Sequence, residues 1–417
     1  MIRLFKVKSG FSKNVLTVMG GGVIAQFFPV AISPILTRIY SPEDFGFLAI
    51  YITIITLLIS FSTGKYENSF FVVNRLNIVR SIVHASMLIS ILVSVIILVM
   101  ILAMDYIGFQ EYFHYPIIWL YIIPLSLIFG AWHALLSQLS IRMSLYKKLT
   151  TVRIVQSITT GIVSLFIGWY YYQSTDLIVG FLISNIISLI LLFKFTGIGF
   201  PVISKYKRYI LLLIKYKKFP KYMIPSGIIN ALSSNMPNII LTSTLGLTSA
   251  GYYNIVQKVV GNTTVALSTS FSEVFKQQAA LDIKNTGTCY PLFKSTLRKL
   301  FLIAVIPYTV FGFFVVDIFG FVFGDKWQFA GDYALILLPM FFIRFITIPV
   351  SSVLILKGRT ELDLYWQMLF FLASVTGFFF SDDTSQLMAY FSLSFSCVYL
   401  FSLWINYKLA RNYECFI

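Results

Sequence analysis

Apolar runs of about 20 residues recur along the whole chain, separated by short polar clusters that carry most of the charge. A helix needs about that length to cross the hydrocarbon core of a bilayer. Barrel strands would instead read as short segments of alternating polarity. The pattern predicts an all-α integral membrane protein with 12 transmembrane helices. They are expected at residues 15–37, 45–64, 81–104, 116–138, 154–172, 177–193, 222–245, 250–272, 300–321, 333–356, 364–381 and 384–407. The first run is too long for a signal peptide and lacks a small-residue cleavage site, so it is expected to stay as the first span.

Charge orients these spans. With the N-terminus in the cytoplasm, nearly all Lys and Arg fall in cytoplasmic segments. The external loops hold only Arg38 and Lys326, and two further cations, Lys258 and Arg344, lie inside spans. This is the positive-inside asymmetry, and it places both termini in the cytoplasm. It also accounts for the net charge of +16 without nucleic acid as a partner. The composition agrees: 58% of residues are hydrophobic and 12% charged, against about 25% charged in soluble domains. Cys289, Cys397 and Cys415 have neither metal spacing nor a disulfide framework. No phosphate-binding glycine loop of the G-x-x-x-x-G-K-[ST] kind is present, so no ATP use by this chain and no cofactor is expected.

A weak repeat runs through the chain. Residues 35–50 ("ILTRIYSPEDFGFLAI") align without a gap on residues 240–255 ("ILTSTLGLTSAGYYNI"). The identities are Ile35/Ile240, Leu36/Leu241, Thr37/Thr242, Gly46/Gly251 and Ile50/Ile255. With an even number of spans per half, this predicts a parallel repeat about an axis along the membrane normal. The expected domains are an N-terminal lobe at 1–200, a cytoplasmic linker at 201–221 and a C-terminal lobe at 222–417. The linker is basic and partly apolar. It reads either as a helix lying on the inner leaflet or as a basic tether. In the first copy of the repeat, Ser41 is a candidate N-cap, Pro42 the first helical residue, and Glu43 and Asp44 the first-turn acids. Pro29 and Pro34 are expected to kink or break the first helix.

"ILTRIYSPEDFG", "GKYENSFFV", "PSGIINALSSNMPNIILTSTLGLTSAGYYNIVQKVVG" and "FVFGDKWQFAGDYA" together resemble the polysaccharide biosynthesis, or O-antigen (Wzx-type), flippases, relatives of the multidrug MATE exporters in the MOP superfamily. The resemblance implies two six-helix lobes around a central cavity in the bacterial cytoplasmic membrane. It implies a cargo of oligosaccharide repeat units linked through pyrophosphate to a polyprenyl lipid, passed from the inner to the outer leaflet by alternating access. Other surface-polysaccharide assembly proteins are the partners it suggests. In relatives the second span commonly ends in Arg-Tyr-Glu; here the residues are Lys65, Tyr66 and Glu67, which keep the charge but lose the bidentate fork.

An anionic head that crosses a membrane calls for cations at depth, where charges usually face a cavity or a partner. Lys258 and Arg344 are the candidates, with Arg38 and Lys65 nearer the surfaces. Amides suit sugar hydroxyls and equally suit packing between helices. Asn235, Asn254 and Gln257 belong to a cluster of amides at 230–262. Glu67 and Asp317 are candidates for ion coupling, with a Glu67 ion pair to Lys65 or Arg142 as the structural alternative. Two rival functions remain. A MATE-like exporter of small cations would carry deep acids in its first half. A membrane polysaccharide polymerase would need a sizeable external loop. A non-enzymatic transporter fits the chain best.

Overall fold

The computed structural model describes residues 26–71, 73, 75–108, 118–170, 176–201, 206–357, 359–380 and 382–411. The first part of the first expected span, the N-terminal tail and Cys415 lie outside these residues. All regular structure among the described residues is helical. Helix α1 covers residues 26–39. It is followed by α2 (Pro42–Ser62), α3 (Leu76–Tyr106), α4 (Ile118–Arg142), α5 (Tyr146–Tyr170) and α6 (Asp176–Thr196). Then come α7 (Tyr206–Lys215), α8 (Lys218–Ile240), α9 (Gly246–Val256), α10 (Asn262–Thr286) and α11 (Tyr290–Phe323). The chain closes with α12 (Gln328–Val350), α13 (Val353–Leu356), α14 (Thr360–Val375) and α15 (Thr384–Arg411). Eight helices among the described residues are long and apolar enough to cross a membrane. Their exposed faces agree. On α3, Leu92, Val95, Ile96 and Val99 are all at least half exposed, and on α11 so are Leu302, Ile306, Val310 and Phe313. Stripes of this kind belong against lipid.

The chain divides into two compact units, residues 50–232 and residues 1–49 with 233–417. These units are not the sequence halves, because α1 and the first turns of α2 pack with residues from the second half of the chain. In the 50–232 unit, α4 packs on α3 and α6, and α6 on α5. Its core includes Phe70, Val83, Met87, Trp132, Leu135 and Leu139. The Trp132 indole N–H, buried there, donates to Ser90 Oγ at 2.9 Å. Helix α7 lies on α3. It buries Tyr209 and exposes Ile210, Leu211 and Ile214 beside Lys207, Arg208 and Lys215, the arrangement of an interfacial helix. Tyr209 Oη meets His84 Nδ1 at 3.4 Å, and His84 Nε2 lies 3.2 Å from the Gly199 carbonyl, so this histidine ties α3 to the connection that follows α6.

In the other unit α12 is central, packed by α9, α10, α11 and α15. Proline does not break its helices. Pro34 removes the N–H that would bond the Val30 carbonyl, and Ser33 Oγ takes that carbonyl at 2.6 Å, so α1 continues through both Pro29 and Pro34. Pro349 frees the Phe345 carbonyl in the same way, and Ser268 Oγ on α10 approaches it at 3.3 Å. Neighbouring hydroxyls restoring freed carbonyls are what make proline tolerable in a spanning helix.

Within this unit the two segments aligned above, 35–50 and 240–255, meet. A Cβ built on Gly46 would run into the carbonyl oxygen of Leu247, and one built on Gly251 into that of Pro42. In the repeat alignment Gly46 corresponds to Gly251 and Pro42 to Leu247. The two helix starts therefore cross with equivalent atoms in reciprocal contact, a local two-fold arrangement that glycine alone permits at this separation. A third equivalent pair touches as well: Thr248 Oγ1 donates to Glu43 Oε1 at 3.2 Å. Ser41 caps α2 as expected. Asp44 Oδ2 accepts from its N–H and its hydroxyl, both at 2.8 Å. Trp327, fully buried, packs edge-on against Phe45 at 5.1 Å and donates its indole N–H to the Thr37 carbonyl at 3.0 Å.

Candidate functional site

On either side of this crossing along the chain the helices change register. The chain makes π-helical turns at Leu241–Leu245, where α8 ends, and at Gln257–Gly261, between α9 and α10. Each inserts an extra residue into a helical turn and leaves a carbonyl in need of a donor. At the second turn, Gln26 Nε2 of α1 approaches the Lys258 carbonyl at 3.4 Å. The candidate residues Gln257 and Lys258 are the first two residues of that turn.

Their side chains have different surroundings. Lys258 sets its ammonium over the Phe45 ring, 5.7 Å from the centroid. The electron-rich ring face attracts a cation, and among the described residues no carboxylate pairs with it. Gln257 Nε2 donates to the Tyr253 hydroxyl at 2.7 Å. Tyr253 is buried, and the charge of Arg344 on α12 acts on it. Arg344 also acts on Tyr308, whose hydroxyl meets Thr264 Oγ1 at 2.8 Å. Arg344 Nε is buried without a hydrogen-bond partner among the described residues. The structure thus groups Arg344, Tyr253, Gln257 and Tyr308 from α9, α11, α12 and the second π turn, with Lys258 one residue further along. The cluster's cation is Arg344, with no acid beside it among the described residues, while Lys258 lies on Phe45 instead.

The remaining candidates lie elsewhere. Arg38 is exposed at the end of α1. Asn235 is in α8, Asn254 is half-buried on α9, and Asp317 is exposed on α11. Lys65 and Glu67 belong to the other unit, in the turn after α2. Their charged atoms lie 4.0 Å apart. Glu67 is buried and accepts from Thr63 Oγ1 at 2.8 Å. Lys65 holds φ at +56°, and the glycine at 227 leaves room for its chain, since a Cβ there would come 2.8 Å from Lys65 Cε. Arg142 does not reach Glu67. It donates instead to the Phe70 and Val73 carbonyls at 2.8 and 3.2 Å, so the closer ion-pair partner of Glu67 is Lys65.

Sequence reasoning missed several residues. Tyr308 and Thr264 stood in apolar runs with nothing to mark them. Arg153 was placed just outside a span, but α5 begins at Tyr146, so Arg153 stands two turns into that helix. There its charge acts on His133 of α4, whose Nε2 is buried without a partner among the described residues. Only the exact start of α5 would have revealed this, and helix starts are the least legible feature of a sequence.

The family model described as polysaccharide biosynthesis protein matches residues 35–331, more than half of the chain. A teichuronic acid biosynthesis protein, TuaB, of Bacillus subtilis (strain 168) is 24% identical over 194 residues. That region is 46% of this chain and 39% of the relative, so the match spans well under half of the relative's length. Among solved structures, the lipid II flippase MurJ in an inward closed conformation superposes with a TM-score of 0.68 at 14% identity, covering 95% of this chain and 87% of that one. A MATE transporter in complex with MaD3S gives 0.59 at 10% identity, covering 94% of this chain and 95% of that one. A MOP superfamily transporter from Pyrococcus furiosus Vc1 (DSM3638), titled for the reverse polarity of its binding pocket, also gives 0.59 at 10%, covering 96% and 95%. The fold is that of the MOP superfamily transporters.

Proposed function

The chain belongs to the polysaccharide biosynthesis protein family, and from that premise we propose that it is a flippase for polyprenyl-pyrophosphate-linked oligosaccharide repeat units, such as those of O-antigen. It would carry them from the inner to the outer leaflet of the cytoplasmic membrane, with both termini in the cytoplasm. The observation that carries this reading is a pair of deep cations without acids, Arg344 in its polar cluster and Lys258 on Phe45. Arg344 and Lys258 stand in helical segments without a carboxylate partner among the described residues, and Arg344 Nε has no acceptor. Unpaired charge inside a membrane protein is costly unless a ligand or a watery cavity meets it. A pyrophosphate supplies the missing charge, while the Gln257 amide and the Tyr253 and Tyr308 hydroxyls suit the sugar that follows. A cation exporter would find the same cluster repulsive. Lys65 and Arg38 would then meet the head nearer the two surfaces, with Asn235 and Asn254 as further sugar contacts. Glu67 and Asp317 stay the candidates for ion coupling.

Alternating access by two six-helix lobes fits the repeat. The Gly46–Gly251 crossing lies at the loop ends that the charge pattern makes external, so it would seal the site on that side while cargo enters from the cytoplasm.

The test is deletion of the protein, followed by leaflet-specific labelling of lipid-linked saccharides. They should accumulate facing the cytoplasm and surface polymer should disappear. Unpolymerised units reaching the surface would favour a polymerase instead. Arg344→Ala and Lys258→Ala should each reduce flipping at least tenfold in proteoliposomes, a loss of about 1.4 kcal/mol, while membrane levels stay normal. Arg344→Lys should retain part of the activity. Normal flipping by both alanine variants would refute the anion site.

A further inference from the structure

Two cavities lie along α11, and the second shares the Tyr308 side chain with the Arg344 cluster. One, of about 470 Å³, is lined by Lys294, Arg298, Phe301, Phe342, Ile346 and Leu400, among others from α11, α12 and α15. The second, of about 570 Å³, is lined by Tyr308, Gly312, Phe313, Leu338 and neighbours on α11 and α12, again including Phe342. Phe342 lines both, so the two cavities adjoin at its ring and together make a groove along α11 that this side chain bridges. From Lys294 to Phe313 the helix rises about 28 Å, close to the thickness of a bilayer's hydrocarbon core. Gly312 gives the groove its depth, for a Cβ there would come 3.0 Å from Leu338 Cδ2. Phe301, Phe313 and Leu400 are 48%, 78% and 48% exposed, so the groove opens sideways to lipid rather than into the protein.

Its polarity is one-ended. Lys294 and Arg298 stand one helical turn apart at the start of α11, both exposed, and no acid lines either cavity. The rest of the wall is almost wholly apolar. On α12, the groove-lining Leu338, Phe342, Ile343 and Ile346 share one face. Arg344 lies about 170° round the helix from the centre of that face at 3.6 residues per turn. Arg344 therefore lies off the groove-lining face, and it lines neither cavity.

We propose that this groove is a binding site for a resident anionic phospholipid, with the phosphate on Lys294 and Arg298 and an acyl chain laid along α11 past Phe342 to Phe313. An anionic head beside two cations at the edge of the hydrocarbon fits the attraction of basic residues to acidic lipid. The length and one-ended polarity of the groove fit an extended chain below it. The site is independent of the flippase reading and concerns a lipid that stays.

The test uses the full-length protein, purified in detergent and delipidated. Phosphatidylglycerol and phosphatidylcholine are titrated in, with binding followed by native mass spectrometry and thermal melting. Phosphatidylglycerol should bind and raise the melting temperature; phosphatidylcholine should do neither at the same concentration. In the double variant Lys294→Gln/Arg298→Gln, phosphatidylglycerol should bind roughly thirtyfold more weakly, from about 1 kcal/mol per cation. The control Lys276→Gln/Lys299→Gln, at exposed sites outside the cavities, should bind as the native protein does. Leu400→Trp, which fills the slot from an exposed position, should weaken binding without altering the charge. Equal phosphatidylglycerol binding by the native protein and both groove variants overturns the proposal. So does protection by undecaprenyl phosphate alone, which would assign the groove to the cargo's tail.

Discussion

Helices α2 and α9 start in equivalent places in the repeat and cross each other through equivalent glycines, yet they start by different means. The first uses side chains. Asp44 takes the Ser41 N–H and hydroxyl, Pro42 supplies a first residue that needs no donor, and Glu43 and Asp44 face the positive end of the helix dipole. The second uses backbone. Gly246, which stands where Ser41 does, adopts φ +84°, there is no side-chain cap, and no acid lies in the first turn. What both keep is the glycine one turn in, at Gly46 and Gly251. Helix caps are local solutions and are interchangeable. A contact between two backbones is not, because no side chain can be withdrawn from it.

The largest expected effect tests that contact. Gly46→Val and Gly251→Val each place carbon where a partner carbonyl oxygen already sits, which should cost about 3 kcal/mol or more. Thermal melting in detergent should show comparable losses for the two variants. A well-tolerated valine at one of them would mean that the crossing is not two-fold. Trp327→Phe keeps the ring against Phe45 but leaves the Thr37 carbonyl without its donor, a loss of about 1–3 kcal/mol. Asp44→Ala removes the carboxylate half of the capping box, leaving Ser41 Oγ as acceptor of the residue 44 N–H, and should cost about 1 kcal/mol. The matched change Ser249→Ala in α9 removes only a long hydrogen bond to the Leu245 carbonyl, at 3.3 Å, and should fall within about 0.5 kcal/mol. If the two were equally costly, the contrast between the starts would fail. The smallest change, Thr248→Val, removes one exposed hydrogen bond to Glu43. It should lower stability by about 0.5 kcal/mol.

The first start was legible in the sequence because Ser-Pro-Glu-Asp encodes its own cap within four residues. The second was legible only by alignment, since Gly-Leu-Thr-Ser marks a helix start poorly. Gly46 and Gly251 could be paired as repeat positions. That they touch depends on how two helices pack, which no local pattern records. Long apolar runs made the helices plain for the same reason that the positions of Lys258 and Arg344 did: charge against apolar background is visible. The π turn that carries Lys258 was not, because a change from i→i+4 to i→i+5 bonding leaves no mark on residue identity. In the sequence, Pro29 and Pro34 point to a kink or a break, and the Ser33 hydroxyl that compensates Pro34 looks there like any other serine. The groove on α11 was hidden too, for its wall and an ordinary lipid-facing surface have the same composition.

The burial of Trp327 has a spectroscopic consequence. Its indole is wholly enclosed, while those of Trp169 and Trp404 are 83% and 51% exposed on helices that face lipid. Brominated acyl chains should therefore quench the emission of Trp169 and Trp404 and spare that of Trp327. A variant that keeps Trp327 as its sole tryptophan would carry a fluorophore seated on Phe45, one residue before Gly46. Any separation of α2 from α9 would admit water to that indole and shift its emission to longer wavelength. The side chain that plugs the crossing is thus an intrinsic optical reporter of its opening, and no label need be attached.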